Sequence, residues 1–242
     1  FLSSLIIRSP GDYIWLMRRV GLSSGRPLSE MRRDLSLALD KGSSRDEISR
    51  ILRANKYREM LRIGVRDLLG TASLEQTVAD ISSLAEVSID AAVEKAFEEL
   101  KEKHGVPVQT TSDGVQRPGR FCVLGLGKLG GEELNYSSDI DLYYLYSSHE
   151  GMTTGRSTGT GYRDAIENHR FFVRMGEVVT RLLGERTSDG IVFRVDLRLR
   201  PEGESGEIAY SLSSLEVYYQ SWGRTVDRLA LLKARPVGGD RK

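Results

Sequence analysis

LNYSSDIDLYYLY, residues 134–146, sets two acids one residue apart at the head of an otherwise apolar run. Side chains alternate along a strand, so Asp139 and Asp141 share one face, roughly 7 Å apart at the Cα level. Ile140 and Leu142 point the other way and are candidate core. Two like charges held that close repel unless a cation, a proton or hydrogen bonds compensate. The stretch predicts a strand that begins at a polar site and ends in a core.

Immediately before it, GLGKLG at 125–130 follows a predicted strand, Arg120–Leu126. Its spacing matches the dinucleotide-binding fingerprint, which is weak evidence by itself. In a Rossmann unit the ribose-binding acid lies at the C-terminal end of the next strand, about 20 residues on. Here the acids come at the N-terminal end, and the segment between is short for a crossover helix. The Rossmann reading is a minor alternative. The glycines would still let backbone N–H groups approach a phosphate closely.

Downstream, FRVDLRLRP at 193–201 alternates cleanly. Phe193, Val195, Leu197 and Leu199 form one face of a strand predicted over 191–200; Arg194, Asp196, Arg198 and Arg200 form the other. A solvated sheet edge has the same pattern. Guanidinium forks, however, fit phosphate oxygens, and a carboxylate among them suits a metal bound to those phosphates. Asp139, Asp141 and Asp196 are therefore candidate ligands of Mg²⁺, which takes a few carboxylates plus phosphate oxygens and water. Two such ions would stabilise the entering and leaving oxygens of a phosphoryl displacement. Gly-Gly, a short spacer and Asp-apolar-Asp-apolar form the nucleotidyltransferase signature, with a merely acidic strand end as the alternative.

The rest of the chain sets bounds. Its 242 residues are 39% hydrophobic and 29% charged, ordinary for a soluble protein with a real core. A net charge of +1 gives no argument for nucleic acid or an anionic membrane. No apolar run reaches the roughly 18 residues of a spanning helix. FLSSLIIRSPGDYIWLMRR at the start lacks a basic leader and does not read as a signal peptide; it reads as a helix pair continuing from something earlier. The single cysteine, Cys122, excludes an internal disulfide and predicts a reducing, cytoplasmic setting. Neither Cys122 nor His169 has a catalytic partner in the sequence, so both read as structural.

Residues 1–104 have helical spacing. Ser43 or Ser44 caps a helix that Gly70 stops; Thr71 or Ser73 caps a second, which His104-Gly105 ends. The block 105–119 is Gly-, Pro- and Thr-rich and reads as a linker or loop, and 120–242 carries the strands. The polar segment 147–163 is expected to be mobile and to lie at the rim of the cleft. Helices are predicted over 164–183 and near 212–219, with an amphipathic stretch at 226–235.

GLGKLGGEELNYSSDIDLYYLY, RVDLRLRPEGESG and LLKARPVGGD resemble the glutamine synthetase adenylyltransferase (glutamate–ammonia ligase adenylyltransferase) family. YREMLRIGVRDLLGTASLEQTVADISSLAE, residues 57–86, resembles the helical segment that precedes its catalytic core. The resemblance implies an α+β fold: a nucleotidyltransferase (DNA polymerase β-like) core with a mixed sheet, preceded by helices. Family members are about four times this length, with two such domains, so more helices and a second domain would follow the core seen here. The N-terminal one removes AMP from a tyrosine of glutamine synthetase by phosphorolysis, yielding ADP; the C-terminal one adds it from ATP. LNYSSDIDL, the GESG after RLRP and YYQSWGR at 218–224 favour the removing half. Where the family commonly has Trp-Glu after Gly-Arg-Thr, this chain has Val226 and Asp227.

Carried over by position, Asp139, Asp141 and Asp196 would be the catalytic metal ligands. Gly130, Gly131, Ser137 and Ser138 would line the phosphates, with Lys128, Arg198 and Arg200 as further phosphate or adenylate contacts. Lys128 could equally be a solvated turn residue, and Arg200 could pair with Glu202 or Glu204. The implied partners are glutamine synthetase, a PII-type nitrogen signal protein, ATP, ADP, AMP and phosphate, with no nucleic acid and no membrane. Adenylyl transfer from ATP, or a non-catalytic domain that only binds nucleotide or regulator, are the alternatives.

Overall fold

The computed structural model describes residues 6–7, 9–19, 22, 24–40, 42–110, 114–158 and 161–241. Expectations for residues 1–5, for 111–113 of the proposed linker and for 159–160 of the polar segment lie outside them.

The first part is helical: α1 (Pro10–Arg19), α2 (Leu28–Ala38), α3 (Arg45–Leu68) and α4 (Leu74–His104). The two long helices start at capping boxes. Ser44 accepts from the Glu47 N–H and Ser73 from the Gln76 N–H, each with the reciprocal side-chain bond. Gly105, at φ +76°, ends α4 in a conformation open to glycine. Buried residues run around α4 from Leu84 to Ala96 rather than along one stripe. It is the central helix, and a single hydrophobic cluster joins Met31 and Leu52 of the helices to Val123, Leu142, Phe171 and Val237 beyond them.

The proposed linker holds two short strands, β1 (Pro107–Thr110) and β2 (Gln116–Pro118), paired antiparallel. Then come β3 (Phe121–Gly125), a one-turn helix α5 (Gly127–Gly130) and β4 (Ile140–Tyr146). β3 and β4 pair antiparallel, from Phe121 opposite Tyr146 to Gly125 opposite Leu142. A Rossmann unit needs a parallel crossover here, so the antiparallel register rules that alternative out. The strand starts one residue later than expected, and Asp139 stands just before it.

The polar segment expected to be a mobile loop carries structure instead. It forms β5 (Met152–Thr153), which extends the β1–β2 sheet, and a hairpin of β6 (Arg156–Thr158) and β7 (Gly161–Arg163). Its base is tied down: Thr153 is buried and Gly155 N–H donates to His104 O at 2.9 Å. It leaves the far end of β4, roughly 20 Å along the strand from the acids, so it does not rim their site.

Helix α6 (Asn168–Gly184) packs against α4, starting later than its apolar spacing predicted. The strand expected over 191–200 shrinks to β8 (Val195–Asp196). The cause is competition for one edge. β8 pairs parallel with residues 140–141 of β4, and β9 (Ala209–Ser211) pairs parallel with residues 144–146 of the same strand. The chain must leave the edge between them, and it does so in a turn through Arg198 and Leu199. α7 (Leu212–Ser221) and α8 (Thr225–Ala230) follow. Asp227 accepts from the Tyr218 hydroxyl at 3.0 Å and caps α8 from its first turn.

Sequence periodicity gave no sign of the last strand, β10 (Arg235–Gly239), which pairs antiparallel with β3 and completes a mixed sheet ordered β10-β3-β4-β8. The molecule is α+β. Among the described residues no helix is long and apolar enough to cross a membrane.

Candidate active site

The site forms where the glycine turn, the head of β4 and β8 meet. The turn is set by close approaches. Gly127 has φ +51°, and a Cβ there would lie 2.6 Å from Asp141 Oδ2. A side chain at 127 would thus be strained and would push the carboxyl away. At Gly130 a Cβ would lie 1.9 Å from the Lys233 carbonyl oxygen, so that glycine answers to packing. Gly131 is exposed at the end of the turn. Arg235 donates to the carbonyls of Leu129 and Gly130 at 3.2 and 3.3 Å while pairing with buried Glu86 at 2.7 Å. One guanidinium therefore fastens the turn to α4. Neither Gly127 nor Arg235 stands out individually in the sequence, because a positive φ and an ion pair to a distant helix have no local signature.

Asp141 and Asp196 are register partners across the parallel β4–β8 pair. Ile140 N–H donates to Arg194 O at 2.9 Å and locks this register. The Asp141 carboxyl, half-buried, makes no hydrogen bond or ion pair among the described residues. Burial raises its pKa above the ordinary carboxylate value, and the charges of Asp196 and Asp139 raise it further; Arg198 and Lys128 oppose them. Lys128 itself is exposed on α5.

The two flanking acids are held by arginines. Arg198 grips Asp196 through Nη2 at 2.6 Å and Nε at 3.0 Å, and its own backbone N–H donates to Asp196 Oδ1 at 2.8 Å. These hydrogen bonds hold the Asp196 carboxyl below the usual carboxylate range. Arg194 pairs with Asp139 through Nε and donates from Nη2 to Ser137 O. Thus Arg194, which sequence reading placed only on a charged face, is a component of the site. With Asp139 and Asp196 turned to these guanidiniums, no three acidic, histidine or cysteine side chains among the described residues stand close enough to hold a metal ion together. The donor chemistry nevertheless suits Mg²⁺: three hard carboxylates, of which that of Asp141 is half-buried, has no partner among the described residues, and is raised in pKa by burial and by the charges of the other two.

Ser137 and Ser138 lie in a turn organised by Asn135. Its Oδ1 accepts from Ser137 N–H at 3.1 Å and Ser138 Oγ at 2.9 Å. The turn is anchored on the helices, since Leu134 N–H donates to Ser82 Oγ at 3.1 Å and the Tyr136 hydroxyl to Asp67 at 3.0 Å. Arg200 is not brought to the carboxylates in the same way. It donates to the carbonyls of Leu197, Glu204 and Gly206 at 2.9–3.4 Å and ties up the turn after β8. Cys122 and His169 stand outside the site. Burial pushes the Cys122 thiol up to about 11, a poor nucleophile, and His169 Nδ1 meets the Tyr146 hydroxyl at 2.8 Å.

Residues 1–242 match the model of the family described as glutamate-ammonia ligase adenylyltransferase. The chain is 40% identical over 242 residues to the bifunctional glutamine synthetase adenylyltransferase/adenylyl-removing enzyme of Thioalkalivibrio sulfidiphilus, covering 100% of this chain and 24% of that one. It is 45% identical over 210 residues to the protein of the same name from Shewanella woodyi, covering 87% and 21%. Against that of Pseudomonas aeruginosa the figures are 40% over 242 residues, covering 100% and 24%. The chain spans about a quarter of the length of these curated relatives.

Proposed function

Because the chain belongs to the glutamate-ammonia ligase adenylyltransferase family, we propose that it carries a nucleotidyltransferase core that removes AMP from a tyrosine of glutamine synthetase by phosphorolysis. The observation that carries this is the half-buried carboxyl of Asp141, unpaired among the described residues, held against Gly127 and flanked in register by Asp196. A structural ion-pair network would pair that carboxyl; a site for a polyphosphate-bound cation leaves it a free donor. Asp139, Asp141 and Asp196 are the residues that would hold Mg²⁺, which when bound supplies charge neutralisation at the phosphate oxygens. Arg198 and Lys128 bring positive charge to the same corner, where phosphate and the AMP phosphoryl group must meet. Phosphate is already a competent nucleophile at neutral pH, so positioning and charge stabilisation suffice and no histidine base is required. The GESG after RLRP and the YYQSWGR stretch support removal over addition.

The test is to incubate the chain with adenylylated glutamine synthetase, Mg²⁺ and phosphate. ADP should appear only when phosphate is present. Incorporation of AMP from ATP instead would assign the chain to the adding half, and no turnover in either direction would leave a domain that only binds.

A further inference from the structure

Arg194 is bound to two parts of the site at once, Asp139 and the carbonyl of Ser137. It is also well exposed, 59% against 42% for Asp139. Exposed ion pairs contribute little to stability, so this one can be exchanged at small cost. Arg198 likewise pairs with Asp196, the register partner of Asp141, with a side chain 68% exposed. The two guanidiniums neutralise the flanking carboxylates and leave the central one uncovered. A divalent cation bound by Asp141 and its neighbours would compete with both arginines for the same oxygens. Guanidinium prefers a phosphate oxygen pair as readily as a carboxylate, and a phosphate brought by the cation would stand within reach of the displaced arginine.

Resting on the metal-site reading above, we infer that Arg194 is an exchange residue: it covers Asp139 in the unliganded protein and transfers to substrate phosphate when a divalent cation takes the carboxylate. The exchange makes cation and phosphate binding interdependent. The cation alone must displace Arg194 without giving it a new partner, so it binds weakly. Cation and phosphate together satisfy all the charges. Arg194 thereby disfavours loading by the metal without its nucleotide.

Mn²⁺ serves as a paramagnetic probe whose free-ion resonance reports binding without turnover. For Arg194→Met, which keeps the aliphatic stem and loses the charge, Mn²⁺ alone should bind about two- to fivefold more tightly than to the unaltered chain. ADP added at saturating Mn²⁺ should bind about tenfold more weakly. Arg194→Lys keeps the charge and should leave Mn²⁺ affinity near its original value. Circular dichroism should show both variants folded, because the side chain is exposed. Unchanged or weaker Mn²⁺ binding by Arg194→Met would overturn the exchange and make Arg194 a fixed pin of the Ser137 turn. Asp141→Asn separates the two levels. If it leaves Mn²⁺ binding intact, the metal-site reading itself fails; if it abolishes binding while Arg194→Met has no effect, only the exchange fails.

Discussion

Burial and the charges of Asp196 and Asp139 raise the pKa of Asp141, so ionising it at neutral pH costs the folded chain free energy that the unfolded chain does not lose. Asp141→Asn removes that cost. Without divalent cations its Tm should rise at neutral pH by about 1–2 °C, a modest figure because solvent screens a half-exposed group. The gain should shrink as the pH falls through the raised pKa and vanish below the ordinary carboxylate value of 3.8, where the native acid is protonated too. Asp196 should behave oppositely. Its carboxyl is held low by Arg198, so it stabilises the fold above the ordinary carboxylate range and loses that effect as the pH falls through its depressed pKa. Asp196→Asn should therefore lower Tm at neutral pH, and the loss should fade in acid. If the chain removes AMP as proposed, both variants should lose that activity by about 100-fold or more, measured as ADP release. Thermal melts in chelator across pH check the opposite signs; a common sign would mean that the two carboxyls are not in the environments described. Strand alternation singled out Asp139 and Asp141 in the sequence, although of the two only Asp141 lies within β4. Their electrostatic difference was not, because it depends on which arginine reaches which acid.

The glycine turn separates packing from chemistry within one element. Gly130→Ala would drive a Cβ into the Lys233 backbone carbonyl, which cannot rotate aside, and should be the more destabilising change. Gly127→Ala forces an alanine to φ +51°, costing about 1–2 kcal/mol, and displaces the Asp141 carboxyl, which can yield by rotating. On the proposed function, Gly127→Ala should lose far more AMP removal, relative to its stability loss, than Gly130→Ala; melts and ADP release on the same samples test this. If activity follows stability alone in both, Gly127 has no special tie to Asp141. At this scale the long helices were readable, since Ser44-x-x-Glu47 and Ser73-x-x-Gln76 announce their own starts. β8 was overextended because alternation reports faces and says nothing of whether a partner edge is free; β9 had taken it. β10 escaped notice because Pro236, Gly238 and Gly239 weaken its strand signal, though an edge strand with a register shift tolerates them.

The whole molecule is organised around α4, whose burial on all sides has no expression in its amphipathic spacing. Helices α2, α3 and α6 and strand β10 all pack on it. Phe97 meets Phe171 edge to face at 6.0 Å, Glu86 pairs with Arg235, and Gly238 lies so close to Ile89 that a Cβ there would be 2.6 Å from its methyl group. Composition divides the chain near residue 105, whereas these contacts give both sides one core. The consequence is cooperative unfolding. Ile89 is fully buried on α4, and Ile89→Ala should cost about 2–5 kcal/mol. For a chain of this size that lowers Tm by roughly 5–15 °C. The decisive feature is coincidence. Far-ultraviolet dichroism reports mainly the helices, and near-ultraviolet dichroism is sensitive to the buried sheet residues Tyr143, Tyr144 and Tyr146. Both signals should shift together by the same amount, because α4 packs on the other helices and on β10 and shares one hydrophobic cluster with the sheet. Two separated transitions, with only the helical signal moved by Ile89→Ala, would show instead that residues before 105 fold as an independent unit and that the site loop rests on a detachable neighbour.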